Sequence, residues 1–188
     1  MQLPPRGTWK GSGGVVYDLA ERWTGMPVPP PTTGYVEGVV RRYLRAFGPA
    51  TAADVTAWSG ITRLGPVLAA MTDLVRHEDD AGRPLLDVAD APVADEDRSA
   101  PPRLLGRYDN VWLSHAARDR VTTPEARALW SGPNGGSANT FFVDGWLTGL
   151  WKAEGGRVVV LDTVRALTRA ERSGLDDEIA RTEALLQR

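Results

Sequence analysis

Val36-Glu37-Gly38-Val39-Val40-Arg41-Arg42-Tyr43-Leu44-Arg45-Ala46-Phe47-Gly48, continued by Pro49-Ala50-Thr51-Ala52-Ala53-Asp54-Val55-Thr56-Ala57-Trp58-Ser59-Gly60, decides the fold of this chain. In its first half Val36, Val39, Val40, Tyr43, Leu44 and Phe47 recur at helical spacing, and Gly48 ends the run. Arg41, Arg42 and Arg45 fall on the opposite face. In its second half Thr51 with Asp54 three residues on comes close to a capping box. That predicts a helix which buries Val55 and Trp58 and stops at Gly60. A third helix is expected from near Thr62, with Pro66 tolerated in its first turn. Its apolar stripe is Leu64, Val67, Leu68, Met71, Leu74 and Val75. Arg76–Val88 then reads as two short strands around a charged turn at Gly82. Helix, helix, helix, hairpin is the winged-helix order, a variant of the helix-turn-helix. We place this domain at residues 34–90.

Toward the C-terminus an acidic connector with Pro92, Pro101 and Pro102 leads into Arg103-Leu104-Leu105-Gly106-Arg107-Tyr108-Asp109-Asn110-Val111-Trp112-Leu113-Ser114-His115. This stretch reads as an apolar strand, a polar corner and a second apolar strand. Asp109-Asn110 is turn chemistry, because short Asx side chains bond nearby backbone. Tyr108, Asp109, Asn110 and His115 are therefore expected to be structural corner residues. Asp109 would lock the corner through backbone bonds, and His115 would cap the next turn or make one polar contact. Ser114 and His115, adjacent on a strand, would point to opposite faces, which argues against a nucleophile–base pair. Beyond lie a short helix over Thr122–Trp130, capped near Thr122, and a flexible loop at 131–137. A hairpin follows around Asp144-Gly145, the strongest such signal in the chain. A third strand over Arg157–Leu161 comes next. Thr168 caps a last helix with Leu175, Ile179 and Leu186 on its core side. Residues 101–188 are expected to form a small antiparallel β-barrel-like domain with a C-terminal helix, giving an α+β chain.

Toward the N-terminus, Leu3–Tyr17 reads as a hairpin with a glycine-rich tip, followed by a helical piece around Leu19–Trp23. A two-stranded hairpin alone is marginal in water. Residues 1–25 are thus read as the orphan wing of a preceding winged helix, open to an N-terminal partner half or to self-association. Pro27, Pro29, Pro30 and Pro31 suit a stiff linker.

Composition narrows the function. The 188 residues are 42% hydrophobic, with no apolar run near the roughly 20 residues of a membrane span. There is no signal-peptide pattern and no cysteine, so a cytoplasmic protein without thiolate metal sites is the simplest expectation. No acidic cluster with metal spacing accompanies the two histidines, so neither a metal nor a cofactor is expected. The net charge of −2 hides segregation: residues 34–77 and 101–130 each carry five Arg against three acids, and residues 78–99 carry eight acids against two Arg. Basic character, where it exists, belongs to the helices and to the corner. Only Arg63 stands near the start of the third helix, before Gly65, Ala69 and Ala70. Base-specific major-groove reading is therefore poorly provided for, and contact with backbone phosphates through Arg41, Arg42, Arg45, Arg118 and Arg120 is favoured.

The motifs taken in order resemble a known family. Arg41-Arg42-Tyr43-Leu44, then Phe47-Gly48-Pro49-Ala50-Thr51 and Asp54-Val55-x-x-Trp58-Ser59, resemble the winged-helix DNA glycosylases, the AlkZ-like and YcaQ-like proteins. So do Arg103-Leu104-Leu105 with Tyr108-Asp109-Asn110, His115-Ala116-x-Arg118-x-Arg120, and Val143-Asp144-Gly145-x-x-x-Gly149-x-Trp151. Ala117 departs from the family's His-Ala-Asp-Arg pattern. The resemblance implies tandem winged helices with a β-barrel-like domain lining a DNA channel, and a catalytic Gln-x-Gln or Gln-x-Asp. The chain's two glutamines, Gln2 and Gln187, match neither motif. The chain resembles the C-terminal half of these enzymes. It is expected to bind double-stranded DNA without catalytic residues of its own. The alternatives are part of an active N-glycosylase completed by another segment, or a dimerisation module without nucleic acid.

Overall fold

The computed structural model describes residues 2–6, 11–95, 97–130 and 138–187. The chain divides into two compact units, Met1–Tyr35 and Val36–Arg188. The class is α+β, with antiparallel sheets and a C-terminal helix.

In the first unit Gln2 bridges Tyr17, and the Leu3 N–H donates to the Val16 carbonyl at 2.9 Å. Part of the glycine-rich tip, residues 7–10, lies outside the described residues. The short helix α1 (Ala20–Thr24) starts one residue later than expected and ends at Gly25, whose φ of 70° is open to glycine without a Cβ penalty. Val15, Val16, Tyr17, Leu19 and Trp23 are exposed.

In the second unit α2 (Tyr35–Phe47), α3 (Ala52–Ser59) and α4 (Gly65–Ala70) share one core. Val40, Tyr43, Leu44, Val55, Leu64, Leu68 and Met71 fill it. The α3 capping box forms as its sequence demands: Thr51 Oγ accepts from the Asp54 N–H, and the Asp54 carboxylate accepts from the Thr51 N–H. Trp58 departs from expectation. It packs on Tyr43 and Phe47 but stays 38% exposed. The third helix is also shorter than its apolar stripe. It stops at Ala70, and Leu74 and Val75 open β1 (Leu74–Glu78). A turn at Thr72-Asp73 swings the chain round, so Leu74 keeps its place against the core from a strand while Val75 turns outward. Helical spacing here served two elements in succession. β1 pairs antiparallel with β2 (Pro84–Val88), from Leu74 opposite Val88 to Glu78 opposite Pro84. Ala50 bridges Leu86, tying the start of α3 to this hairpin.

The remainder is built on a four-stranded antiparallel sheet, β3 (Arg103–Leu105), β4 (Asn139–Val143), β5 (Trp146–Glu154) and β6 (Arg157–Thr163), in that order. β3 and β6 are its edges, so the sheet stays open rather than closing on itself as a barrel would. Between β3 and β4 run α5 (Asn110–Leu113) and α6 (Pro124–Trp130), and α7 (Arg169–Leu186) follows β6. The loop predicted at 131–137 lies outside the described residues. Both faces of β4 are covered, so Thr140 to Val143 are all buried. Phe141 and Val143 pack with Leu175 of α7, whereas Phe142 meets Trp112 of α5 and Ala126 of α6. An unbroken apolar run is what a strand buried on both sides requires. Asp144 and Gly145 both have positive φ, 52° and 76°, the conformation of a two-residue hairpin whose twist matches its strands. Gly149 sits opposite Phe141, whose ring fills the space a Cβ would need. Both edge strands are tended by α7. Glu178 accepts from the Leu104 N–H of β3, and Glu183 from the Val158 N–H of β6. Edge amides satisfied by side chains no longer invite another strand.

Candidate nucleic-acid interface

The corner that the sequence places between two strands is organised differently. β3 ends at Leu105, and Asp109 then caps a one-turn helix, its carboxylate accepting from the Val111 N–H at 3.0 Å. The expected second strand is α5. A short apolar run bounded by polar residues has no length over which to reveal its period. Here the cap and the burial of Trp112 against Trp130 and Phe142 decide for helix. The helix after it is capped by Thr123, not Thr122, since Thr123 Oγ accepts from the Ala126 N–H.

Because α5 is a helix, Ser114 and His115 do not diverge. Ser114 Oγ lies 2.9 Å from His115 Nδ1, and His115 Nε2 lies 3.1 Å from the Phe47 carbonyl. A carbonyl only accepts, so Nε2 carries the proton and Nδ1 accepts from the serine hydroxyl. His115 thus makes two polar contacts where one was expected. Burial, reinforced by the Arg120 charge, holds its pKa below the ordinary 6.5. The imidazole is neutral and fully committed. Ser114 is buried, and both nitrogens of the His115 ring are engaged by groups of the fold.

The segment after α5 is stapled to the helices by bonds without a local sequence signal. Tyr43 Oη donates to the Ser114 carbonyl at 2.5 Å. Burial, then the nearby Asp54 charge, pushes the Tyr43 hydroxyl far above its ordinary pKa. The buried Asp54 accepts the Ala116 N–H at 2.9 Å on one oxygen while its other oxygen serves the α3 cap. Burial raises its pKa, but the bonds from Thr51 and Ala116 outweigh that and leave the carboxyl below its ordinary range. Arg83, in the turn that joins β1 to β2, bridges Asp79 and Asp119.

The five arginines singled out from the sequence have different circumstances. Arg41 forms a bidentate pair with Asp73, whereas Arg45 donates from Nη2 alone to both Asp90 oxygens, at 2.6 and 2.8 Å. Arg42 is exposed and has no ion-pair partner among the described residues. Arg118 turns inward, its Nε donating to the Trp112 carbonyl at 2.9 Å, and burial followed by the Arg127 charge lowers its pKa. Arg120 is exposed and donates once, to the Pro49 carbonyl at 2.8 Å. It lies on the wall of three clefts. One of about 350 Å³ includes Phe47, Asn110 and His115. A second, of about 470 Å³, includes Asp54 and Ala116. A third, also about 470 Å³, includes Asp80 and Trp146. Tyr108 stands 78% exposed at the corner. Among the described residues no group of three or more His, Cys, Asp or Glu could hold a metal ion, and no helix is long and apolar enough to cross a membrane.

The sequence of residues 1–185 matches the family model described as DNA glycosylase AlkZ-like. Among solved structures, the DNA glycosylase AlkZ of Streptomyces sahachiroi superposes with a TM-score of 0.70 at 23% identity, over 97% of this chain and 51% of that one. The chain therefore spans about half the length of that structure. Comparison with the curated proteins finds no match. With the family model covering nearly every residue, the chain belongs to the AlkZ-like DNA glycosylase family.

Proposed function

We propose that this chain is a DNA-binding part of the glycosylase architecture, with α2–α4 and the β1–β2 hairpin serving as its winged helix. It holds double-stranded DNA mainly through backbone phosphates and carries no Gln-x-Gln or Gln-x-Asp of its own. The observation that carries this reading is the family match over residues 1–185. The arginine placements support it. Arg42 and Arg120 have donors to spend. Arg41 and Arg45 are held only by exposed carboxylates, and such surface pairs contribute about 0–1 kcal/mol, so exchanging them for phosphate costs little. Arg118, committed to the Trp112 carbonyl, positions the segment from which Arg120 reaches out.

The test is duplex affinity against salt concentration. Removing one arginine–phosphate interaction should flatten the logarithmic salt slope by about 0.9. Replacing Arg42 and Arg120 together with Ala should flatten it most, and replacing all five should remove most of the dependence. An unchanged slope in the five-fold variant refutes the assignment. A second reading, part of an active N-glycosylase, is favoured by the 51% coverage of the AlkZ structure. Single-turnover assays on alkylated DNA separate the two: the 188-residue chain alone should release no base under either reading, and release only when a segment carrying a Gln-x-Gln or Gln-x-Asp is supplied would establish the second.

A further inference from the structure

We propose that Trp146 and Arg120 together form a site for one unpaired nucleotide, its base stacked on the indole and its phosphate held by the guanidinium. This rests on the DNA-binding reading above and narrows it to a particular DNA substructure.

Trp112 and Trp151 are buried, but Trp146 is 47% exposed. It opens β5 directly after the positive-φ pair Asp144-Gly145, so the turn that aligns the two strands also fixes where the indole emerges. The Leu147 N–H donates to the Val121 carbonyl at 2.8 Å. The residues immediately before these two, Trp146 and Arg120, are thereby carried together to the same cleft of about 470 Å³. A flat apolar face beside a planar cation is the pairing by which proteins hold single nucleotides without reading their sequence. Arg120 donates only to Pro49 among the described residues, which leaves most of its fork for a phosphate.

The acids of the cleft decide how much nucleic acid it takes. Asp79 and Asp119 are both engaged by Arg83, whose single positive charge answers one of their two negative charges. Asp80 is exposed, with no ion-pair partner among the described residues. A continuous strand laid along the cleft would bring further phosphates against it. One extruded nucleotide, presenting a single phosphate to Arg120 and its base to Trp146, avoids that repulsion.

The experiment titrates the whole chain with two labelled duplexes of identical ends, one fully paired and one carrying a single bulged nucleotide, and follows anisotropy. The bulge has already met the cost of unstacking that a paired base would incur. The wild-type chain should prefer the bulged duplex by about tenfold or more, the contribution expected from one stacked base. Trp146→Leu, which keeps apolar bulk without a π face, should reduce that preference to near unity, and Trp146→Phe should retain most of it. Arg120→Ala should weaken binding of the bulged duplex, with Arg120→Lys intermediate. A preference that survives Trp146→Leu, or a wild-type chain that binds paired and bulged duplexes equally, overturns this inference while leaving the DNA-binding reading intact. A wild-type chain that binds neither duplex overturns both.

Discussion

Replacing Asp54 with Ala should reveal how the helical part and the post-α5 segment depend on each other. The carboxylate accepts from the Thr51 N–H at 2.8 Å, the Thr51 hydroxyl at 2.7 Å and the Ala116 N–H at 2.9 Å. In the variant Thr51 still caps α3 through its own hydroxyl, so only the reciprocal half of the capping box disappears, about 0.5–1 kcal/mol. The Ala116 N–H is left without its acceptor. An unsatisfied donor of this kind costs about 1–3 kcal/mol, and the exposure of Ala116 points to the low end. The sum is about 2 kcal/mol, or a fall in Tm of about 4–8 °C for a chain of this size. Asp54→Asn keeps one acceptor oxygen for Ala116 and should cost about half as much. Urea unfolding of the three proteins measures the order, and hydrogen exchange at the Ala116 amide locates the effect. A loss under about 0.5 kcal/mol for Asp54→Ala, or unchanged exchange at Ala116, would refute the argument that this carboxylate joins the two segments.

Two further outcomes follow from the packing and the electrostatics. A Cβ at Gly149 would overlap both the Asp162 carbonyl oxygen and the Phe141 ring, so Gly149→Ala should destabilise by about 3 kcal/mol, measured by chemical denaturation. His115 has a depressed folded pKa, so the unfolded chain binds the additional proton; its contribution to stability is complete above pH 6.5 and is lost as pH falls through the folded value. His115→Gln should flatten the fall in unfolding free energy just below pH 6.5, and an unchanged slope would mean that the imidazole is not held neutral by the fold.

Elements with capping chemistry in their sequence were legible. α3 has Thr51 and Asp54 at its start and Gly60 after it, and α7 has the same reciprocal box from Thr168 and Glu171. In the second box Arg165, then the Thr168 backbone, draws the Glu171 carboxyl down to about 2. The β4–β5 hairpin announced itself through Asp144-Gly145, residues able to take positive φ. The failures share a cause. The stripe from Leu64 to Val75 satisfies a helix throughout, and only a turn without a distinctive residue hands its last members to β1. Val111–Leu113 is too short to show period 2 or 3.6. In both places the deciding information is which distant surface receives the side chain.

That limit bears most heavily on the interface. Arg41, Arg42 and Arg45 could be found because a helix periodicity puts them on one face. Whether each is available could not, because Asp73 and Asp90 lie on other segments and were visible only as acids in the chain. Similarly, Asp54 looks in sequence like half of a local cap, yet its second oxygen carries the link to Ala116, 62 residues away. His115 looks like a candidate base, yet the Phe47 carbonyl, 68 residues away, fixes its tautomer and removes its free nitrogen. Local chemistry therefore identifies the residues of this site, and long-range bonding assigns their roles. The same bonding withdraws the reactive residues, His115, Ser114 and Asp54, into structure while leaving Arg120, Arg42 and Trp146 facing outward. That division supplies the outward-facing groups on which the proposed DNA-binding reading draws.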